Sequence, residues 1–249
     1  MSYQLQKYGA TSPLPCRGGG RAGVSALLSM KTPVIYLVFL LLLSCTTDSY
    51  EKGQGKYSLM EAELVELTID GEKQGTAFVT DDDDRFTLTP SVSASWIETA
   101  DTVYRAVLYF NRLSETTAEP VAVGAVPTLR PREHWKIEQQ KQDPLGVESA
   151  WVSKNGKYIN LGLLLKTGVE DDSDAVQTIG LAQDTVLIHA DDSRTAVYRL
   201  LHDQGGVPRY YTARRYVSIL LPDTARLDTV RLIVITDDGT LARQFKIRN

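Results

Sequence analysis

From residue 57 onward, apolar residues recur at every second position, and turn dipeptides interrupt the runs. That period is the signature of half-buried β-strands, not of helices. The first run, Tyr57–Ile69, places Met60, Ala62 and Leu64 on one face, then switches to Val65, Leu67 and Ile69. The adjacent pair Leu64-Val65 predicts a slip in phase such as a β-bulge makes. Asp70-Gly71 follows as a hairpin signal. "GTAFVT", "RFTLTP", "TVYRAVLYFN" (Thr102–Asn111) and "PVAVGAV" (Pro120–Val126) complete five strands. A non-strand segment, Ser91–Ala100, separates the third from the fourth. Five strands with a plug at that point predict an OB-like barrel.

The segment "RPREHWKIEQQKQDP" (Arg130–Pro144) is polar, rich in Gln and bounded by prolines, so it reads as a linker. Beyond it come seven more strand candidates, from "ESAWVSK" to "LARQFKIR", with turns at Asn155-Gly156, Gly205-Gly206 and Asp238-Gly239. Ile159, Leu161, Leu163 and Leu165 alternate with Tyr158, Asn160 and Lys166, one face buried and one wet. Seven strands in about 100 residues predict a β-sandwich. The expected fold class is therefore all-β: an OB-like barrel at 57–130, a linker at 131–147 and a seven-stranded sandwich at 148–249.

The N-terminal part follows a different rule. Val34 to Leu43 is an unbroken run of ten apolar residues. A helix of ten residues covers about 15 Å, half a bilayer core. It has the length of the apolar centre of a secretory signal, with Lys31 as the preceding charge. The run ends in Leu42-Leu43-Ser44-Cys45, which resembles the lipobox of bacterial lipoproteins, Leu43 being larger than the usual residue there. The resemblance implies acylation of Cys45 and cleavage before it. Several acyl chains on one cysteine make a stable anchor where one does not. Residues 30–44 are thus expected to be the signal peptide, and the polar residues 45–56 the tether. The Gly-, Ser- and Pro-rich residues 1–29 fit no signal n-region. Met30 is the better start, and 1–29 are expected to lie outside the fold. Cys16 would be lost with them.

"ESAWVSKNGKYINLGLLL", "YRLLHDQGG" and "RYVSILLP" resemble structural segments of the NigD-like lipoproteins of Gram-negative gut and oral bacteria. Asp203 stands for a usual Asn, Ile219 for Phe and Leu220 for Asp. The order of lipobox, tether, barrel, linker and sandwich is similar too. The resemblance implies a lipid-anchored protein of the outer membrane or cell envelope, on the periplasmic side or the surface. Its name comes from a bacteriocin operon, which implies an immunity role as one alternative.

Charge narrows the partners. Residues 1–44 carry Lys7, Arg17, Arg21 and Lys31 and no acid, so their removal takes the formal charge from −4 to −8. An acidic surface argues against nucleic acid. With Cys45 lipidated, no cysteine is left for a disulfide, and the core must hold the fold.

Catalytic signals are sparse. The histidines are His134, His189 and His202, and Glu133-His134 lacks the second His of a zinc motif. A hydrolase, the third alternative, would need a concave site gathering His134, His189 or His202 with Asp or Ser, and it fails if the fold keeps all three apart on open surfaces. Asp81–Asp84 and Asp171, Asp172 and Asp174 raise calcium as an alternative, but without EF-hand spacing. Solvated turns are the simpler reading, so no metal or cofactor is expected. Trp96, Tyr210 and Tyr211 are candidate contacts for a ligand, with core plugging and cross-strand pairing as the alternative. Trp151, opening a strand, reads as core. The expectation is a non-enzymatic binding or accessory module for an envelope protein or glycan, held to the membrane through Cys45.

Overall fold

The computed structural model describes residues 3–4, 59–170, 174–222 and 227–247. The apolar run, Cys45 and the tether lie outside the described residues, as do Asp171 and Asp172.

The barrel is built from β2 (Glu61–Ile69), β3 (Gly75–Thr80), β4 (Arg85–Val92), β5 (Thr102–Arg112) and β6 (Thr117–Ala125). They close in the order β2-β3-β4-β6-β5, with β4 and β6 parallel. This is the OB arrangement expected from the strand count and the plug. Inward residues such as Val65, Leu67, Phe78, Phe86, Leu108 and Phe110 form one cluster. The rings of Phe78 and Phe86 stack at 5.0 Å, and Phe110 leans on both. Ile97 and Trp96 plug the gap between β4 and β5.

The expected slip at Leu64-Val65 is absent. β2 pairs with β5 in unbroken register from Glu61 to Ile69, and its one irregularity, against β3, falls at Thr68/Ile69. Leu64 and Val65 are instead buried on opposite faces of one regular strand, Val65 inside the barrel cluster. The Asp70-Gly71 turn is also longer than a two-residue hairpin. Asp70 Oδ1 accepts the amides of Glu72 and Gln74, and Lys73 takes the left-handed conformation at φ 62°.

The second body is a sandwich. Its strands are β7 (Thr128–Leu129), β8 (Arg132–Glu133), β9 (Gly146–Val152), β10 (Tyr158–Thr167), β11 (Thr178–Ile188), β12 (Arg194–Asp203), β13 (Tyr211–Leu220), β14 (Thr229–Thr236) and β15 (Gly239–Lys246). One sheet runs β11-β12-β14-β15 and the other β7-β13-β10-β9. The facing sides bury Ile159, Leu161, Leu163, Tyr198, Val217 and Val230, among others. All seven expected strands, β9 to β15, are present.

Three placements differ from the sequence reading. Thr128–Leu129, counted with the barrel, adds to β13 of the sandwich. The linker segment 131–147 is stitched to the sandwich: β8 pairs with β11, a short 3-10 helix η1 (His134–Lys136) follows, and Leu145 enters the sandwich core. Trp151 is exposed, because its neighbours Ala150 and Val152 take the core side of β9. In addition, β1 (Tyr3–Gln4), from the stretch expected to lie outside the fold, pairs with Thr178–Ile179 of β11. The β11 edge is open there, and any extended segment can meet its main-chain groups.

Candidate functional site

The acidic run Asp81–Asp84 lies where the barrel meets the β9–β10 hairpin. Asp81 Oδ2 accepts from Arg105 Nη2 at 2.8 Å and from Asn160 Nδ2 at 2.8 Å. Arg105 is on the outer face of β5, yet its side chain is only 2% exposed. Its Nε donates to Ser218 Oγ, and Ser218 Oγ donates to Asn160 Oδ1. The guanidinium carbon sits 4.1 Å from the centre of the Tyr158 ring, a cation–π contact. Tyr158 donates its hydroxyl to Glu66 at 2.8 Å, and burial and that carboxylate hold its pKa well above the usual phenol value. Lys157 pairs with Glu66, Lys154 with Asp82, and Asn155 donates to Asp83. Carboxylates of the barrel thus face cations and amides of the sandwich. The described carboxylates of this run are already partnered, and no metal-binding group of three or more ligands occurs among the described residues. The run is a docking surface between domains.

The candidate tyrosines lie at one end of the sandwich. Tyr210 is 67% exposed and Tyr211 also exposed. Tyr210 is nonetheless held. Its hydroxyl donates to Glu170 Oε1 at 2.7 Å, which raises its pKa. A side chain on Gly168 would come within 2.7 Å of the Tyr210 ring and 3.0 Å of Pro208, so the ring rests on bare backbone. Gln204 braces the supporting loop by donating to the carbonyls of Lys166 and Val207, and Gln177 also donates to Lys166. Trp96 is elsewhere, half-buried in the barrel plug and edge-on to Tyr104 at 5.6 Å.

The histidines are not brought together. His202 is 2% exposed, its Nδ1 3.0 Å from the Asp143 carbonyl oxygen. His189 bonds Thr195 beyond the other end of the β11–β12 hairpin. Eight residue steps of β12 separate the two ends, about 26 Å. His134 packs edge-on against Trp135 in η1, beside the middle of β11. No histidine among the described residues bonds a carboxylate or a serine hydroxyl.

Arg105, Asn160 and Ser218 escaped sequence reasoning, because alternation assigns them to wet faces. The signal was present in "YINLGLLL", where Asn160 stands in an almost continuous apolar run. Such runs mark strands covered on both sides.

No protein-family model matches the sequence, and the search of curated proteins returned no match. Solved structures do match. A NigD-like immunity protein from Bacteroides caccae is 21% identical, with 74% of this chain and 90% of that chain covered at a TM-score of 0.55. A candidate lipoprotein from Bacteroides fragilis is 13% identical, with 76% and 99% covered, also at 0.55. A candidate toxin-related protein from Parabacteroides distasonis is 18% identical, with 75% and 92% covered, at 0.54. Identities this low speak to fold alone. The match runs over nearly the whole length of these neighbours, and the chain has the NigD-like fold.

Proposed function

We propose that this chain is a non-enzymatic binding or accessory module of the cell envelope, moored by acyl chains on Cys45. It would present its two β domains to an envelope protein or a glycan. The observation that carries this is Tyr210, a ring fixed by Glu170, Gly168 and Pro208 yet open to solvent. Ordering costs are met in advance when such a ring is already held, which favours binding. Tyr211, the next residue, is also exposed, and Trp96, packed in the barrel plug, lies apart from the pair. The scattered histidines support the non-enzymatic part. Among the described residues no helix is long and apolar enough to cross a membrane.

The test has two arms. Mass spectrometry of the native protein should find an acylated Cys45 at its N-terminus. The Cys45→Ala form should capture an envelope protein or an array glycan, and the Tyr210→Ala/Tyr211→Ala pair should weaken that capture at least tenfold. Unchanged capture by the double variant would remove the tyrosine face from the reading.

The name of the B. caccae neighbour favours a second reading, bacteriocin immunity, in which the tethered protein intercepts a toxin. Deletion of the gene would then sensitise cells to a toxin encoded nearby, and unaltered sensitivity would reject it.

A further inference from the structure

The end of β11 farthest from the tyrosine pair is apolar for an edge, and the bulge of this strand, at Asp184, lies before that stretch and not within it. Val186, Leu187 and Ile188 are 39%, 45% and 66% exposed, three aliphatic residues in a row. One side of this stretch pairs with β12 from Arg194 to Val197. On the other side, β1 takes Thr178–Ile179 and β8 takes Ala182–Gln183, and among the described residues the strand pairs of β11 stop there. Among the described residues, Thr185 to Ile188 therefore have no strand partner on that side, along an apolar edge. Proteins normally guard such edges with charge, bulges or cover. The other long outer strands of the sandwich are guarded. β15 exposes Arg243 and Lys246, and β9 bulges at Glu148. Trp135, 66% exposed in η1 next to β11, extends the apolar surface beside the unguarded stretch.

We propose that Thr185–Ile188 is a strand-addition site, which takes an extended polypeptide segment of a partner as an added β-strand. The inference rests on the binding-module reading and names the class of partner. Continuity supports it, since two segments of this chain already occupy the same edge, one antiparallel and one parallel. Main-chain hydrogen bonds would supply affinity, and alternate side chains of the guest would meet Val186 and Ile188 on one face and Leu187 on the other. A second folded copy fits less well. The free edge is about 14 Å long, and a line contact of that length falls well short of the roughly 1,200 Å² that a stable interface buries. A lipid surface fits less well too, because unpaired N–H and C=O groups stay unsatisfied in hydrocarbon.

The experiment selects a displayed library of random short peptides on the full Cys45→Ala chain. Enriched peptides should carry alternating apolar residues. Added back, they should slow amide exchange at 185–188 at least tenfold. Ile188→Lys and Val186→Lys, both at exposed positions, should weaken peptide binding at least tenfold with circular dichroism unchanged. N-methylation of the peptide backbone should abolish it. Peptides that bind the lysine variants equally, survive N-methylation, or protect other residues would overturn the proposal, as would enrichment of none. Dimerisation in sizing chromatography that Ile188→Lys abolishes would assign the edge to a second copy instead. Co-flotation with phosphatidylglycerol vesicles, lost in Ile188→Lys, would assign it to lipid. If the tyrosine-dependent capture persists while these peptides fail, the strand site falls and the binding module stands.

Discussion

Arg105→Met tests the docking surface between the domains. Methionine keeps most of the aliphatic stem, so packing changes little and the polar contacts carry the effect. The substitution removes the bonds to Asp81, Ser218 and Asn160 and the stack on Tyr158. Asp81 is left with Asn160 as its side-chain donor and stays mostly covered, its side chain 17% exposed. Breaking a buried pair from one side costs about 3–5 kcal/mol, because the remaining charge is stranded. Residual solvent at Asp81 favours the low end, about 3 kcal/mol. In a folded unit of this size, each kcal/mol moves Tm by roughly 2–4 °C, so the drop should be about 6–12 °C. Calorimetry and urea denaturation measure it. Removing the stranded charge should return part of the loss, so the Arg105→Met/Asp81→Asn double variant should cost less than the two single variants added together, by at least about 1.5 kcal/mol. A single-variant cost below about 1 kcal/mol, or strict additivity in the cycle, would refute the account of the acidic run as an interdomain latch.

Three further outcomes follow from particular positions. Gly205 sits at φ 58° with Val176 O at 2.0 Å from where a Cβ would be, so Gly205→Ala should destabilise by more than about 2 kcal/mol in urea melts. Tyr198 is fully buried, its hydroxyl has no hydrogen-bond partner among the described residues, and burial pushes its pKa up to about 12. Tyr198→Phe should therefore raise stability by about 1 kcal/mol at pH 7. The sign with pH follows from linkage. Above about pH 10 the unfolded chain loses the phenolic proton that the native state keeps, so Tyr198 makes stability fall between pH 10 and about 12. That component, about 3 kcal/mol in full, should vanish in Tyr198→Phe melts across this range. Finally, millimolar calcium should leave Tm unchanged, since Asp81, Asp82 and Asp83 are already engaged by Arg105, Lys154 and Asn155. A rise of several degrees would restore the calcium alternative.

What the chain disclosed in advance follows from which interactions are local. Each sandwich sheet turns one face to a shared core, so Ile159, Leu161, Leu163 and Leu165 had to fall on alternate positions, and their period gave the strand away. The barrel plug was legible for a similar reason: a gap in the alternation at Ser91–Ala100 leaves a barrel end to be covered, and Ile97 and Trp96 cover it. The docking surface was hidden because its partners lie 24 to 113 positions apart, as Arg105 does from Asp81 and Ser218. A run of aspartates looks the same in sequence whether water, calcium or a distant lysine neutralises it. The same blindness affects edges. Alternation says that Val186, Leu187 and Ile188 form a strand, but an edge is defined by the neighbour a strand lacks, and that is a property of the assembled sheet. The mixed face of β10 shows how far a sequence reading can be pushed. Asn160 amid leucines marks a strand buried on both sides, and a buried amide needs partners. Its donors and acceptors imply a polar group arriving from another layer, and Arg105 is that group.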